Sequence, residues 1–81
     1  MKIRVRLFAS FRDAVGGGTL AWDAPEGATV SEVVSALRET YPGLGPAAER
    51  ALLAVNQDYV GGDLTLHDGD ELALIPPVSG G

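Results

Sequence analysis

The sequence predicts an α+β domain in which one long helix lies against one face of a mixed β-sheet. Three observations carry that expectation. The opening residues alternate hydrocarbon with charge, Ile3, Val5 and Leu7 on one side and Lys2, Arg4 and Arg6 on the other, which is the two-residue period of a strand. Val30, Val33, Val34 and Leu37 recur at the spacing of a helical stripe. Short apolar runs then follow between turn-forming residues, so strands come both before and after the helix.

The first strand is expected over residues 2 to 8, with Phe8 as an apolar member of its polar side. Ser10, with Asp13 three residues on, predicts the N-cap of a short helix reaching Val15, and Gly16-Gly17-Gly18 stops it. Thr19 to Asp23 reads as a second strand with Leu20 and Trp22 on one face, and Pro25-Glu26-Gly27 as a turn. Thr29 and Glu32 have the spacing of a capping box, in which hydroxyl and carboxylate each satisfy the other residue's amide. The stripe continues to Tyr41, with Ser31, Glu32, Ser35, Arg38 and Glu39 opposite, and Pro42-Gly43 ends the helix.

A short helical piece from Ala47 to Arg50 leads into a strand from Leu52 to Val55. Asn56-Gln57-Asp58 predicts a hairpin turn into Tyr59 and Val60. Gly61-Gly62 and His67-Asp68-Gly69-Asp70 are loops, and Glu71 to Ile75 is a last strand with Leu72 and Leu74 inward. This order is that of a β-grasp. The predicted core is Ile3, Val5, Leu7, Leu20, Trp22, Val30, Val33, Val34, Leu37, Leu53, Val55, Leu72 and Leu74.

With 81 residues, 46% hydrophobic and 21% charged, the chain makes one folded domain, expected over residues 1–75. The absence of cysteine excludes a disulfide framework, a thiolate metal site and a cysteine nucleophile, and points to the cytoplasm. A net charge of −5 repels a phosphate backbone, so nucleic acid is not an expected partner. No apolar run approaches the roughly 20 residues that span a bilayer, so no membrane is expected either. Four of the six basic residues precede Asp13, whereas the stretch after Asn56 holds five acids and no Lys or Arg. If the two ends pair in the sheet, their charges complement each other.

The end of the chain, Pro76-Pro77-Val78-Ser79-Gly80-Gly81, predicts an extended arm over residues 76–81, because two prolines cannot continue a central strand. At about 3.3 Å per residue the arm reaches roughly 20 Å, enough to enter a partner's buried site. Gly80 and Gly81 lack a Cβ and pass a narrow channel, exposing the terminal carboxylate. A carboxylate resists nucleophiles until one oxygen becomes a leaving group, and adenylation by ATP achieves that.

Elsewhere the residues offer little chemistry. His67 has no Ser or Cys near it to activate, and the loop aspartates lack EF-hand spacing. Gly16-Gly17-Gly18 lacks the Gly-Lys-Ser/Thr ending of a phosphate loop, and Glu32 and Glu39 lie on the outer helix face. No activity is expected of the chain alone, and no bound cofactor or metal.

The capped short helix, the glycine loop, the run Ala54-Val55-Asn56-Gln57, the turn Asp68-Gly69-Asp70-Glu71 and the terminal Pro-Pro-Val-Ser-Gly-Gly together resemble the small subunit of molybdopterin synthase. The resemblance spans the whole chain, and the tail is its most specific element. It implies a ubiquitin-like sulfur carrier. An E1-like enzyme would spend ATP to adenylate Gly81, a sulfurtransferase would exchange oxygen for sulfur, and the thiocarboxylate would act within the large subunit, in a heterotetramer. There it would give sulfur to cyclic pyranopterin monophosphate, forming the dithiolene of molybdopterin. The missing cysteine becomes intelligible, since the sulfur rides on a backbone carboxyl.

Phe8 and Ile75 share a face if the first and last strands run parallel as neighbours, leaving an apolar patch at the root of the arm. The family's partner-facing surface corresponds to Phe8, Arg12, Tyr59 and Ile75, with Pro76, Pro77, Val78, Ser79 and Gly80 threading the partner's site. Three other readings share these features. They are a sulfur carrier for thiamin or tRNA thiolation, a ubiquitin-like modifier joined to lysines through Gly81, and a β-grasp interaction module.

Overall fold

A computed structural model describes residues 1–77; the arm positions Val78, Ser79, Gly80 and Gly81 lie outside the described residues. The chain runs through β1 (Lys2–Leu7), α1 (Ala9–Val15), β2 (Thr19–Asp23), α2 (Val30–Thr40), two 3-10 turns (Pro42–Leu44 and Pro46–Arg50), β3 (Leu52–Val55), β4 (Asp58–Tyr59) and β5 (Glu71–Ile75). The strands form one sheet in the order β2-β1-β5-β3-β4. β1 and β5 are parallel and the other neighbours antiparallel. This is the ubiquitin-like β-grasp, with α2 laid across one face of the sheet.

The core forms where strand and helix periods meet. Alternation turns Ile3, Val5, Leu7, Leu72 and Leu74 to the same side, all at most 3% exposed, and α2 sets Val30, Val33, Val34 and Leu37 against them. Each such side chain contributes about 1.5–3 kcal/mol when fully buried. α2 begins as its sequence predicts: Thr29 Oγ1 accepts from the Glu32 amide at 3.3 Å, and Glu32 Oε1 accepts from the Thr29 amide at 2.9 Å. These bonds hold the Glu32 carboxyl below its ordinary range. No helix among the described residues is long and apolar enough to cross a membrane.

The structure corrects three local expectations. β1 stops at Leu7 and α1 starts at Ala9, so Phe8 is the N-cap and Ser10 lies within the helix, capping nothing. The early start swings Phe11 inward to 2% exposure, and burying an aromatic ring outweighs a hydroxyl cap worth about 1 kcal/mol. The hairpin turn is two residues, not three. Asn56 and Gln57 both adopt positive φ, 51° and 74°, as a type I′ turn requires, and Asp58 already pairs with Val55 in β4.

The core also differs at its edges. Leu20, Trp22 and Leu53 are only partly buried, on the margin of the cluster, while Phe11, Leu44, Leu66 and Ala48 are within it. Leu66 is drawn in by backbone pairing: its amide donates to the Ala28 carbonyl at 2.9 Å, beside an isolated bridge between Thr29 and Thr65. Nothing periodic in the sequence marks such a loop residue as core.

Candidate docking face and arm root

The same alternation that fills the core leaves the opposite face of the sheet without a helix among the described residues. Register fixes what stands there. Arg6 pairs with Ala73, Ala73 with Ala54, and Ala54 with Tyr59, which makes one row across β1, β5, β3 and β4. In the adjacent row Leu52 pairs with Ile75. One step beyond the Leu7 to Leu74 pair, extended Phe8 lies beside Ile75. The Arg6 guanidinium sits 5.2 Å from the centre of the Phe8 ring, an attractive cation–π geometry.

The face is largely apolar and exposed at its margins, with Ala54 at its centre buried at 7% exposure. Tyr59 is 74% exposed and Leu52 49%, whereas Phe8 and Ile75 are half-buried. Exposed hydrocarbon contiguous over several strands marks an interaction surface more often than a solvated one. The parallel pairing of β1 and β5 sets Phe8 beside Ile75, and the outer strand β4 carries Tyr59 on the same face, in the row of Arg6. Arg12 is placed differently. It lies on α1 around the corner from this face, exposed, with its side chain beside Gly18, and it shares a shallow depression with Arg6 and Phe8.

Sequence reasoning missed Leu52, Ala54 and Ala73 as members of the face. The signal was present, since assigning Leu53 and Val55 to the core obliges their neighbours Leu52 and Ala54 to point outward. Pro76 and Pro77 follow β5 directly and are half-buried. Because β5 lies between β1 and β3, the arm begins at the middle of the sheet, beside Leu52 and Phe8.

Charge is complementary along the same strands. Arg4 and Arg6 both approach Glu71, at 3.9 and 3.6 Å, and the Lys2 amide donates to Asp68 at 2.6 Å. The basic first strand and acidic last segment do lie side by side. Such exposed ion pairs contribute only about 0–1 kcal/mol each, so they set register and orientation more than stability.

Asn56 fixes the hairpin to β5. Its side-chain amide donates to Asp70 Oδ1 and its side-chain oxygen accepts from the Glu71 amide, both at 3.0 Å. Its backbone amide donates to the Glu71 carbonyl at 2.8 Å. The second Asp70 oxygen accepts from the His67 amide at 2.8 Å. Together the Asn56 and His67 bonds hold the Asp70 carboxyl below its ordinary range. The Val-Asn-Gln run and the Asp-Gly-Asp-Glu turn thus form one structural clamp, which positions Tyr59 relative to the arm root. His67 itself is on the surface, its side chain 82% exposed.

The ThiS family matches residues 5–81. The molybdopterin synthase sulfur carrier subunit of Dictyostelium discoideum is 35% identical over 83 residues, covering 99% of this chain and 96% of that one. Among solved structures, the Haloferax volcanii protein HVO 2177 superposes with a TM-score of 0.90 at 33% identity, covering 100% of this chain and 87% of that one. A chain from the complex of subunits 1 and 2 of the molybdopterin-converting factor of Helicobacter pylori has a TM-score of 0.69 at 26% identity, with 100% of both chains covered.

Proposed function

Since this chain belongs to the ThiS family, we propose that it is the sulfur carrier subunit of a molybdopterin synthase. The observation that carries the reading is the whole-length similarity to such a subunit, joined to an open apolar face from whose middle the arm departs. Gly81 is the carrier. Its carboxylate attacks the α-phosphate of ATP on an E1-like enzyme, expelling pyrophosphate and leaving an acyl adenylate. Sulfur delivered at the sulfide oxidation level by a sulfurtransferase then attacks the acyl carbon and displaces AMP. The thiocarboxylate donates that sulfur to cyclic pyranopterin monophosphate in the large subunit.

The described residues contribute docking and reach. Phe8, Leu52, Ile75 and Tyr59 form the surface that a large subunit grips, and Arg12 borders it. Pro76 and Pro77 keep the arm extended, so that Val78, Ser79 and Gly80 thread the partner's channel and Gly81 meets the substrate. Catalytic groups belong to the partners, and ATP is consumed on the activating enzyme.

The test is to incubate the purified protein with the activating enzyme, ATP and a sulfur source, then measure intact mass and map the C-terminal peptide. A gain equal to one oxygen-for-sulfur exchange at Gly81 supports the carrier reading. Covalent ladders joined through Gly81 assign the chain as a modifier instead. An unchanged mass in the presence of demonstrably active enzyme overturns both.

A further inference from the structure

We propose that the free protein pairs with a second copy of itself through the open sheet face, covering the arm root until another partner displaces it. The inference does not depend on the sulfur carrier reading. It rests on the order of residues in two adjacent rows of the sheet.

The first row reads Arg6, Ala73, Ala54, Tyr59 across β1, β5, β3 and β4. The second contains Ile75 on β5 opposite Leu52 on β3. A two-fold axis along the strands, midway between β5 and β3, exchanges β1 with β4 and β5 with β3. Applied to two copies laid face to face, it sets Arg6 of each against Tyr59 of the other. It also sets Ala73 against Ala54, and Ile75 against Leu52. Every position then meets a suitable counterpart: a cation meets an exposed aromatic ring, small residues meet at the centre where the sheets must approach, and branched aliphatics meet beside the arm. An isologous interface requires this reversed order, and face-to-face packing of aligned sheets accommodates it.

The outer residues of the rows are free to engage, whereas Ala54 at the centre is 7% exposed, shielded within the row. Tyr59 is 74% exposed and Leu52 49%, and the Arg6 side chain keeps 43% exposure despite Phe8 and Glu71. With strands about 4.8 Å apart, four strands and two rows cover a few hundred Å² per copy. That falls short of the roughly 800 Å² per partner of a stable complex. The pairing is therefore weak and concentration-dependent, which suits a temporary cover. Each copy carries a net charge of −5, so the pair repels at long range and salt tightens it.

The absence of cysteine makes the test direct. Single variants Leu52→Cys and Ile75→Cys are mixed and treated with a short bismaleimide, with Ser35→Cys on the outer face of α2 as control. The expected result is faster cross-linking in the mixture of Leu52→Cys with Ile75→Cys than in either variant alone, and slowest cross-linking with Ser35→Cys. In sedimentation equilibrium the wild-type chain should gain mean mass with concentration and with salt, and Tyr59→Asp should lose that dependence while keeping the wild-type melting curve. A constant monomer mass up to about 1 mM, the weak end of measurable association, overturns the proposal. Equal cross-linking at all positions overturns it too.

Discussion

Asn56 and Asp70 are joined side chain to side chain by a 3.0 Å hydrogen bond, although 14 residues separate them in sequence. The bond ties the β3–β4 hairpin to the start of β5, and Asn56 makes it from a left-handed backbone conformation at φ 51°. Few side chains combine tolerance of positive φ with a donor and an acceptor on one short stem.

Replacing Asn56 by Ala removes both side-chain bonds and places a Cβ residue with no compensating contact at positive φ. A loss of about 2–3 kcal/mol is expected from two hydrogen bonds and the backbone strain. Asn56→Gly relieves the backbone but restores neither bond, so it should lie between Ala and wild type. Urea denaturation of the three proteins checks the order. Equal stability of Ala and wild type would mean that the clamp is dispensable.

The Asp70 carboxyl titrates below its ordinary range because Asn56 and the His67 amide donate to its ionised form. A depressed folded pKa means that the unfolded chain binds the proton more readily. Its stabilising contribution is thus full above the unfolded value near 4 and lost as pH falls through the lower folded value. Asp70→Asn should flatten the decline in stability below about pH 4 relative to wild type, at some cost near neutrality. Denaturation midpoints measured at a series of acidic pH values give the comparison.

Phe11 is 2% exposed although it stands in a seven-residue helix with no side-chain cap. Truncation to Ala should cost about 3–5 kcal/mol, as for other buried aromatics. In a domain of this size that is most of the stability. The variant should show a strongly lowered melting temperature or a partly unfolded state, read by circular dichroism.

Leu52 is the sharpest probe of the proposed docking face. At 49% exposure its side chain adds little to the monomer's core, so Leu52→Asp should change stability by no more than about 0.5 kcal/mol. Its affinity for a large partner subunit should fall at least about tenfold, the effect of losing one well-buried apolar contact. Calorimetric titration would measure it, with Phe8→Asp as a second variant at the same site. Unaltered affinity in both would place the grip elsewhere on the molecule.

What could be read in advance follows from the range of the forces involved. β1, α2 and β5 were legible because alternation and the 3.6-residue stripe are written in consecutive residues, and the Thr29–Glu32 box announces its own geometry. The parallel pairing of β1 with β5 was foreseeable only as a condition, through the opposite charges of the two ends. Phe11, Leu44 and Leu66 escaped because each is buried by a partner distant in sequence. Phe8 and Ile75 were expected to share a face if the first and last strands ran parallel as neighbours, and they do; Tyr59 was singled out only through the resemblance. Leu52 was read only as the first residue of a strand, and Arg12 stands around the corner from the face because α1 turns away at Phe8.

The central position of β5 also has a mechanical meaning. A partner that draws on the arm pulls β5 along its own length, between β1 and β3, so the ladder bonds on both sides carry the load together. An arm attached to an edge strand would put the same load on a single ladder. Tension applied at Pro76 therefore loads the hydrogen bonds on both flanks of β5 in shear.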